Sequence, residues 1–563
     1  MTTHPAAAEP GASLPVLEIK NLSIALPGKG DRAFAVKNVS LTLNRNEILC
    51  IVGESGSGKS VMTSSIMNAV PAGLTITNGE VLFNGTDVLT LPEEQLRDIR
   101  GARIAMIYQE PMAALNPVMT VGSQVDEVFE IHRPEISVAD RRAETLKLFE
   151  QMKLPNPARI YESYPHQISG GQCQRVVIAM ALACKPDILI ADEPTTALDV
   201  TTQRQILSLI AELKGVYDNG TIFITHDFGV VADIADRVAV MCWGELIEEG
   251  TAEQVLMHPQ RDYTKLLVDA MPALETTRKP DQTRNDPPII EAKSVSKTYH
   301  VGNRDVRALQ DANFQLRRGE TLAVVGESGS GKSTLAKALI RLTEPTSGTV
   351  LIHENDFLQL KGKSLQQQRR IIQMVFQDPF GSLNPSHRVG DIITRGQIMM
   401  GIPRSKARER AMELLHLVKL TPDAYYRSPR NFSGGQRQRI SIARALSMDP
   451  DVIIADESVS GLDLSVQKQV LRLMNELQSK LNNAIIFITH DLRVAAQISD
   501  YIAVMQKGVI VEFGVAEDVF NNPQHDYTQM LLDAAPGKDW HPPRIDAAEA
   551  ERIIAETAAA RAG

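Results

Sequence analysis

The stretch ILCIVGESGSGKS, Ile48 to Ser60, decides the fold, and Thr321 to Thr334, TLAVVGESGSGKST, repeats it 273 positions later. In each copy a short β-branched run enters a glycine-rich loop, and a helical pattern follows. G-x-x-x-x-G-K-S in that setting is a phosphate-binding loop. Glycines let backbone N–H groups approach phosphate oxygens with no Cβ in the way, and the helix start adds a favourable field for an anion. The loop residues are Gly53, Glu54, Ser55, Gly56, Ser57, Gly58, Lys59 and Ser60, then Gly326, Glu327, Ser328, Gly329, Ser330, Gly331, Lys332, Ser333 and Thr334. Lys59 and Lys332 are expected at the β- and γ-phosphates, with Ser60 and Ser333 on Mg²⁺. A single match can be an ordinary glycine turn, but two in the same strand–loop–helix setting point to nucleotide.

Working outward, the chain is written twice. SGGQ stands at Ser169, Gly170, Gly171 and Gln172, and again at Ser433, Gly434, Gly435 and Gln436, 264 positions on. The same offset separates Asp192-Glu193 from Asp456-Glu457, and the ITHD runs of His226 and His490. Two large homologous domains explain this; the period is far too long for a solenoid. Residues 1–15 read as a disordered leader, 16–270 as the first domain, 271–288 as a proline-broken solvated linker, 289–535 as the second domain and 536–563 as a tail. Pro536 to Pro543 reads as disordered, and Ile545 to Arg561 as a short exposed helix or solvated tail. Each domain alternates short strands with helical patterns, so the expected class is α/β with a largely parallel sheet. The expected strands are Ile48–Val52, Ile188–Ala191 and Thr221–Thr225, with Leu322–Val325, Val452–Ala455 and Ala484–Thr489 as their second copies. Thr120 to Tyr164 and Val389 to Tyr426 read as helical insertions.

Composition narrows the function classes. The 563 residues are 43% hydrophobic and 23% charged, ordinary for a globular protein. A net charge of −9 and 5% aromatics argue against nucleic-acid binding and against stacking platforms for single strands. Cys50, Cys173, Cys184 and Cys242 form no C-x-x-C pair, and their spacing suits neither zinc nor an iron–sulfur cluster. No window reaches the ~18 apolar residues of a membrane helix, and the N-terminus lacks the pattern of a secretory signal. The expected place is cytoplasmic, with any membrane role carried by partners.

An acid at the end of a buried strand supplies the other half of a nucleotide site. Asp192 and Asp456 are expected in the Mg²⁺ shell, and Glu193 and Glu457 beside the attacking water as catalytic carboxylates. A lone D-E pair is usually a strand end meeting solvent; a phosphate loop in the same domain changes that reading. Ser169 and Ser433, each followed by two glycines at a helix start, offer a second set of N–H donors. A domain that already has a phosphate loop does not need them for its own phosphate, so they would serve a nucleotide held by the other half.

In this order the motifs resemble the nucleotide-binding domain of ABC transporters, twice over. The resemblance covers about residues 16–270 and 289–535. It implies two P-loop NTPase domains, each with an α/β core and a helical subdomain, in a head-to-tail sandwich around two ATP molecules. His226 and His490 match the family's switch histidine, Asp199 and Asp463 its D-loop acid. Gln109 in YQEP and Gln377 in FQDP match the loop that completes the Mg²⁺ shell and couples nucleotide to membrane subunits. Tyr299 matches the aromatic residue that stacks on adenine; Leu26 stands at the first-half position, with Phe34 as a substitute. SGGQ continues with Cys173 in one half and Arg437 in the other, and DEPTTALD becomes DESVSGLD. None of these departures removes a catalytic group.

HPQRDYTKLL, His258 to Leu267, and NPQHDYTQML, Asn522 to Leu531, resemble the C-terminal motif of dipeptide and oligopeptide importer ATPases, with Asp262 and Asp526 where proline is usual. The fused form is similar to the ATP-binding subunits of microcin C-type and glutathione-type peptide importers. The resemblance implies ATP hydrolysis, ATP and Mg²⁺ as cofactors, and no iron–sulfur cluster. It implies two transmembrane permease subunits and an extracytoplasmic solute-binding protein as partners, no nucleic acid, and a peripheral place on the cytoplasmic face of the bacterial inner membrane. The rival readings are a soluble tandem ATPase acting on ribosomes, a DNA-repair or chromosome ATPase, and an importer of nickel, an opine or a sugar.

Overall fold

The computed structural model describes residues 14–28, 32–196, 198–280, 285–302, 304–546, 548–550, 552–553 and 556. The chain divides into two compact units: Met1–Leu198, Thr202–Val268 and Pro542–Gly563 form one, and Asp199–Thr201 and Asp269–His541 the other.

The first unit is built on a six-stranded sheet in the order Glu245–Thr251, Arg237–Cys242, Ile48–Val52, Gly220–Ile224, Ile188–Asp192, Ile104–Ile107. All neighbours are parallel except the first pair. The runs ILCIV and GTIFI are buried along their whole length, as expected of strands covered on both faces. A second, antiparallel sheet pairs Phe34–Leu43, Leu17–Ala25, Thr75–Phe83 and Thr86–Asp87. Leu17, Leu22, Ile51, Ile66 and Ile190 close the core between the two sheets and the helix Lys59–Ile66. The insertion is helical at Val121–His132, Val138–Gln151 and Pro157–Tyr161.

The second unit repeats this plan. Its six-stranded order is Ile372–Val375, Val452–Asp456, Ala484–Ile488, Thr321–Val325, Tyr501–Gln506, Val509–Val515. Its insertion folds as Val389–Met399, Arg404–Leu417 and a 3₁₀ turn at Pro422–Tyr426. Leu414, Leu415, Ile440, Ala443 and Leu446 pack the insertion against the signature helix Gly434–Leu446.

Two segments expected to be loose are held. Arg278 in the expected linker donates to Thr321 Oγ1 at 3.1 Å, Gln478 Oε1 at 2.7 Å and the Ile498 carbonyl at 2.9 Å, and pairs with the buried Asp500 at 3.4 Å. A buried carboxylate needs such a partner, which is why this part of the segment packs on the second unit. Pro536, expected to be disordered, offers its carbonyl to Arg493, and Trp540 closes a turn onto Gly537 at 3.0 Å. Much of the leader and of the Ile545–Arg561 helix expectation lies outside the described residues.

Candidate active sites

In each unit the parallel strands deliver the motif residues to one edge of the sheet, at the strands' C-terminal ends. Ile48–Val52 runs into the phosphate loop, Ile188–Asp192 ends on the acid pair, and Gly220–Ile224, hydrogen-bonded between them, leads to His226. The placement is that of ligand sites in open α/β sheets.

The loop glycines divide by task. Gly53 and Gly58 have φ of 150° and 101°, and a Cβ there would come within 2.2 Å of the Met241 carbonyl and 2.4 Å of the Ala35 carbonyl. Gly56, at φ 75°, faces open space. The second loop matches, with Gly326 against the Met505 carbonyl, Gly331 against that of Ala308, and Gly329 open. So the outer glycines seat the loop on neighbouring backbone, and the middle one leaves room for a ligand. Lys59 Nζ donates to the carbonyls of Gly53 at 2.7 Å and Glu54 at 2.9 Å; Lys332 does the same to Gly326 and Glu327, both at 2.7 Å. Burial lowers the affinity of Lys332 for its proton, and the charges of Glu457 and Asp456 work against that.

Glu193 is the hub of the first site. Its carboxylate accepts from Gln109 Nε2 at 3.0 Å and from Thr196 Oγ1 at 3.0 Å, and lies 3.2 Å from His226 Nδ1. In the second site Gln377 Nε2 donates to Glu457 at 2.6 Å, and His490 Nδ1 is 3.6 Å away. Ser460 donates to the Glu457 backbone carbonyl at 2.7 Å, so its hydroxyl is not on the carboxylate as Thr196 is. Both glutamates stand in left-handed backbone, φ 46° and 43°. That is uncommon for a side chain of this size. The turn aims each carboxylate at its histidine and glutamine while the backbone N–H stays bonded to Ile224 or Ile488.

Electrostatics separates the two acids of each pair. Burial raises Asp192 above the usual carboxylate range, partly countered by the Ser60 hydroxyl. Burial and the adjacent Glu457 charge raise Asp456, whose carboxylate lies 3.4 Å from Ser333 Oγ. For Glu193 burial pushes upward, but the His226 bond and charge, with Thr196, hold it below its ordinary value. The His490 bond does the same for Glu457. Both histidines are correspondingly raised: His226 against its own burial, His490 chiefly through Glu457. Each pair is therefore charged on both sides between the lowered glutamate and the raised histidine, a window that contains roughly pH 4.5–6.5. By NMR, the His226 ring proton in the nucleotide-free protein should titrate above pH 6.5, and Glu193→Gln should move the midpoint downward. An unmoved midpoint would mean that the pair does not form in solution.

The signature serines cap their helices. Ser169 Oγ accepts from Gln172 N at 3.3 Å while Gln172 Oε1 accepts from Ser169 N at 3.0 Å; Ser433 and Gln436 repeat this at 3.4 and 3.1 Å. This capping box uses the third helical N–H, and the next one in each helix bonds the serine carbonyl. The N–H groups of the paired glycines are the helix-start donors left over. A Cβ on Gly171 would strike Thr202 at 2.5 Å, and on Gly435 Val466 at 2.2 Å, whereas Gly170 is open. Asp463 stands at the start of the helix Leu464–Leu481 without a side-chain bond to its first-turn backbone N–H groups, and Asp199 accepts from Thr201 Oγ1 at 2.8 Å. Cys173 is buried, 3.4 Å from the Met112 sulfur, with its thiol pushed up to about 11 by that burial. Arg437 at the matching place bonds the Pro429 carbonyl at 2.9 Å and stacks 4.0 Å from the Phe380 ring centre.

Tyr299 is half-buried, with Lys297 Nζ 5.2 Å from its ring centre. In the first unit, sequence reading missed Arg32 and Trp243. Arg32 donates to the Gly56 carbonyl at 2.7 Å and lies 6.0 Å from the exposed Trp243 ring. The sign of it was an aromatic residue just before Gly244, whose N–H bonds the loop carbonyl of Ser57 at 2.9 Å.

A family model described as ABC transporter matches residues 36–196 and 309–460, and one described as oligopeptide/dipeptide transporter, C-terminal region, matches 247–300 and 511–559. The chain belongs to the ATP-binding proteins of ABC transporters, and it is an ATPase of that class. Glutathione import ATP-binding protein GsiA of Pectobacterium atrosepticum is 44% identical over 570 residues, covering 94% of this chain and 91% of the relative. Its namesake from Escherichia coli O157:H7 is 45% identical over 558 residues, covering 92% and 89%. Among solved structures, a dimeric ATP-binding cassette in a post-hydrolysis state with ADP and phosphate is 30% identical, covering 40% of this chain and 98% of that one, with a TM-score of 0.38.

Proposed function

We propose that this chain is the energy-coupling subunit of an importer for a peptide-like solute. The observation that carries the reading is the twofold constellation of phosphate loop, acid pair, glutamine and histidine at one sheet edge. Its solute class rests on the C-terminal motifs and on relatives named for glutathione import.

The chemistry follows from the side chains. ATP phosphates would enter over Gly56 and Gly329, and Lys59 and Lys332, each still held by the Gly53 or Gly326 carbonyl, would turn their remaining donors to β- and γ-phosphate oxygens. Ser60, Asp192 and Gln109, with Ser333, Asp456 and Gln377, offer the hard oxygen donors that suit Mg²⁺ alongside phosphates. Bound Mg²⁺ would screen the triphosphate charge. Glu193 and Glu457 orient water and accept its proton, and His226 and His490 hold the carboxylates in place and face the γ-phosphate. Ser169–Gln172 would cover the ATP of the second loop and Ser433–Gln436 that of the first, giving the head-to-tail pairing, with Asp199 and Asp463 beside the junction.

Coupling to permeases has a physical candidate in the second unit. A groove of about 420 Å³ lies between core and insertion, lined by Leu342, Met374, Phe376, Ile392, Met399 and Arg444. Phe376 immediately precedes Gln377, so motion at the γ-phosphate reaches the groove through one peptide. A short cytoplasmic helix of a permease fits such an apolar cleft. Among the described residues no helix is long and apolar enough to cross a membrane, so a peripheral place on the cytoplasmic face through two permeases, fed by an extracytoplasmic binding protein, is the arrangement we propose.

Two experiments test this. Cysteines placed near Ser55 and Ser433, in a Glu193→Gln/Glu457→Gln background, should cross-link more with ATP than without; equal yields would count against the head-to-tail pairing. Reconstituted with its permeases, the protein should sediment with membranes, and binding protein loaded with a peptide should raise its ATPase rate. Stimulation by nickel- or opine-loaded binding protein alone would replace the solute class, and co-sedimentation with ribosomes instead of membranes would replace the importer reading.

A further inference from the structure

Each C-terminal motif reaches back to a phosphate loop through its tyrosine. The Tyr263 hydroxyl, in the helix Asp262–Ala270, accepts the backbone N–H of Glu54 at 3.3 Å. The Tyr527 hydroxyl, in Asp526–Ala534, accepts that of Glu327 at 3.2 Å. The other end of the same peptide unit is also held, since the carbonyls of Gly53 and Gly326 each accept the loop lysine at 2.7 Å. One peptide plane per loop is thus fixed on both sides, by the tyrosine at N–H and by the lysine at C=O.

That plane needs holding. Gly53 and Gly326 carry no side chain to restrict their torsions, and their φ values of 150° and 145° lie where a Cβ would collide with a neighbouring carbonyl. The freedom that lets these glycines fit also lets the following peptide rotate. A rotated plane would carry the lysine's carbonyl partner with it and misplace the ammonium group. Tyr527 is 4% exposed and packs among Val325, Leu531 and Ala535, so its ring is rigidly seated. Burial keeps both hydroxyls protonated at neutral pH, Tyr527 being pushed up to about 12. A neutral hydroxyl can accept the amide N–H and still donate.

We propose that Tyr263 and Tyr527 are positioning residues for ATP: each hydroxyl orients the Gly53–Glu54 or Gly326–Glu327 peptide so that Lys59 or Lys332 meets the triphosphate. This rests on the reading of the two loops as ATP sites. It makes the C-terminal motif part of the nucleotide site.

The test uses the full chain with Tyr263→Phe, Tyr527→Phe and both together, measured by equilibrium binding of a fluorescent ATP analogue and by kcat and KM for ATP. Phenylalanine keeps the ring and orphans one N–H, so Kd and KM should rise about five- to tenfold at each altered site, with a smaller change in kcat. Val268→Ala and Leu532→Ala, at buried residues about 140° round the same helices from the tyrosines, loosen the packing without removing a residue that seats the rings. They should lower Tm more than the Phe variants and leave KM within about twofold. Phe variants that bind like wild type overturn the inference. So do Val268→Ala and Leu532→Ala variants that weaken ATP binding as much as the Phe variants, because helix packing would then be the cause. A wild-type chain that fails to bind the analogue overturns the ATP-site reading itself, and this inference with it.

Discussion

Glu193→Gln and Glu457→Gln should each cut ATP hydrolysis at the altered site by at least about 10²-fold, with nucleotide still bound. Glutamine has nearly the shape of glutamate and can still accept a bond from Gln109 or Gln377, but it cannot take a proton from water. It also removes the charge that holds the histidine in its raised protonation state. Backbone strain is unaffected, since both residues keep a left-handed φ that glutamine can share. The sites differ in support: Thr196 bonds the Glu193 carboxylate, while Ser460 bonds the backbone of Glu457. Steady-state phosphate release from the two single variants and the double variant decides the matter. Full turnover in Glu457→Gln would mark the second site as degenerate and end the two-site account.

The second large effect concerns the groove. Met399 is 79% exposed and Leu342 57% exposed at its rim, although both are apolar. If a permease helix covers them, Met399→Asp and Leu342→Asp forfeit about 2 kcal/mol of burial each and bring an unpaired carboxylate under the helix. Uptake into vesicles carrying the permeases should fall more than about 100-fold in the double variant. ATP binding by the isolated chain should stay within about twofold, because neither residue belongs to the phosphate loop. Normal uptake would show that the permease docks elsewhere.

The structure and the sequence reading agree most closely where chemistry imposes a local pattern. The strand Ile48–Val52 was legible to the residue, because a fully apolar run ending on G-x-x-x-x-G-K-S has little freedom. The buried strand at Val452 runs one residue further than expected, to Asp456, because the acid itself still pairs across to Ile488. The linker was misjudged at Arg278: proline and charge signal solvent, and nothing near that residue in sequence announces Asp500, Gln478 or the Ile498 carbonyl. The paired glycines after Ser169 and Ser433 were read as donors only. The structure adds that Gly171 and Gly435 are also steric necessities beneath Thr202 and Val466.

By itself, then, the sequence determined the duplicated ATP-binding design, its membership of the ABC class and most of its candidate site residues. Phosphate, metal and water each demand particular groups at short, fixed spacings along the chain. Tertiary structure alone decided that Tyr263 and Tyr527 touch the phosphate loops, that Arg32 and Trp243 flank the first loop, and that Phe376 opens into a groove. Those contacts join residues brought together by strand order and helix packing, at separations of up to 211 positions, and no local periodicity encodes them.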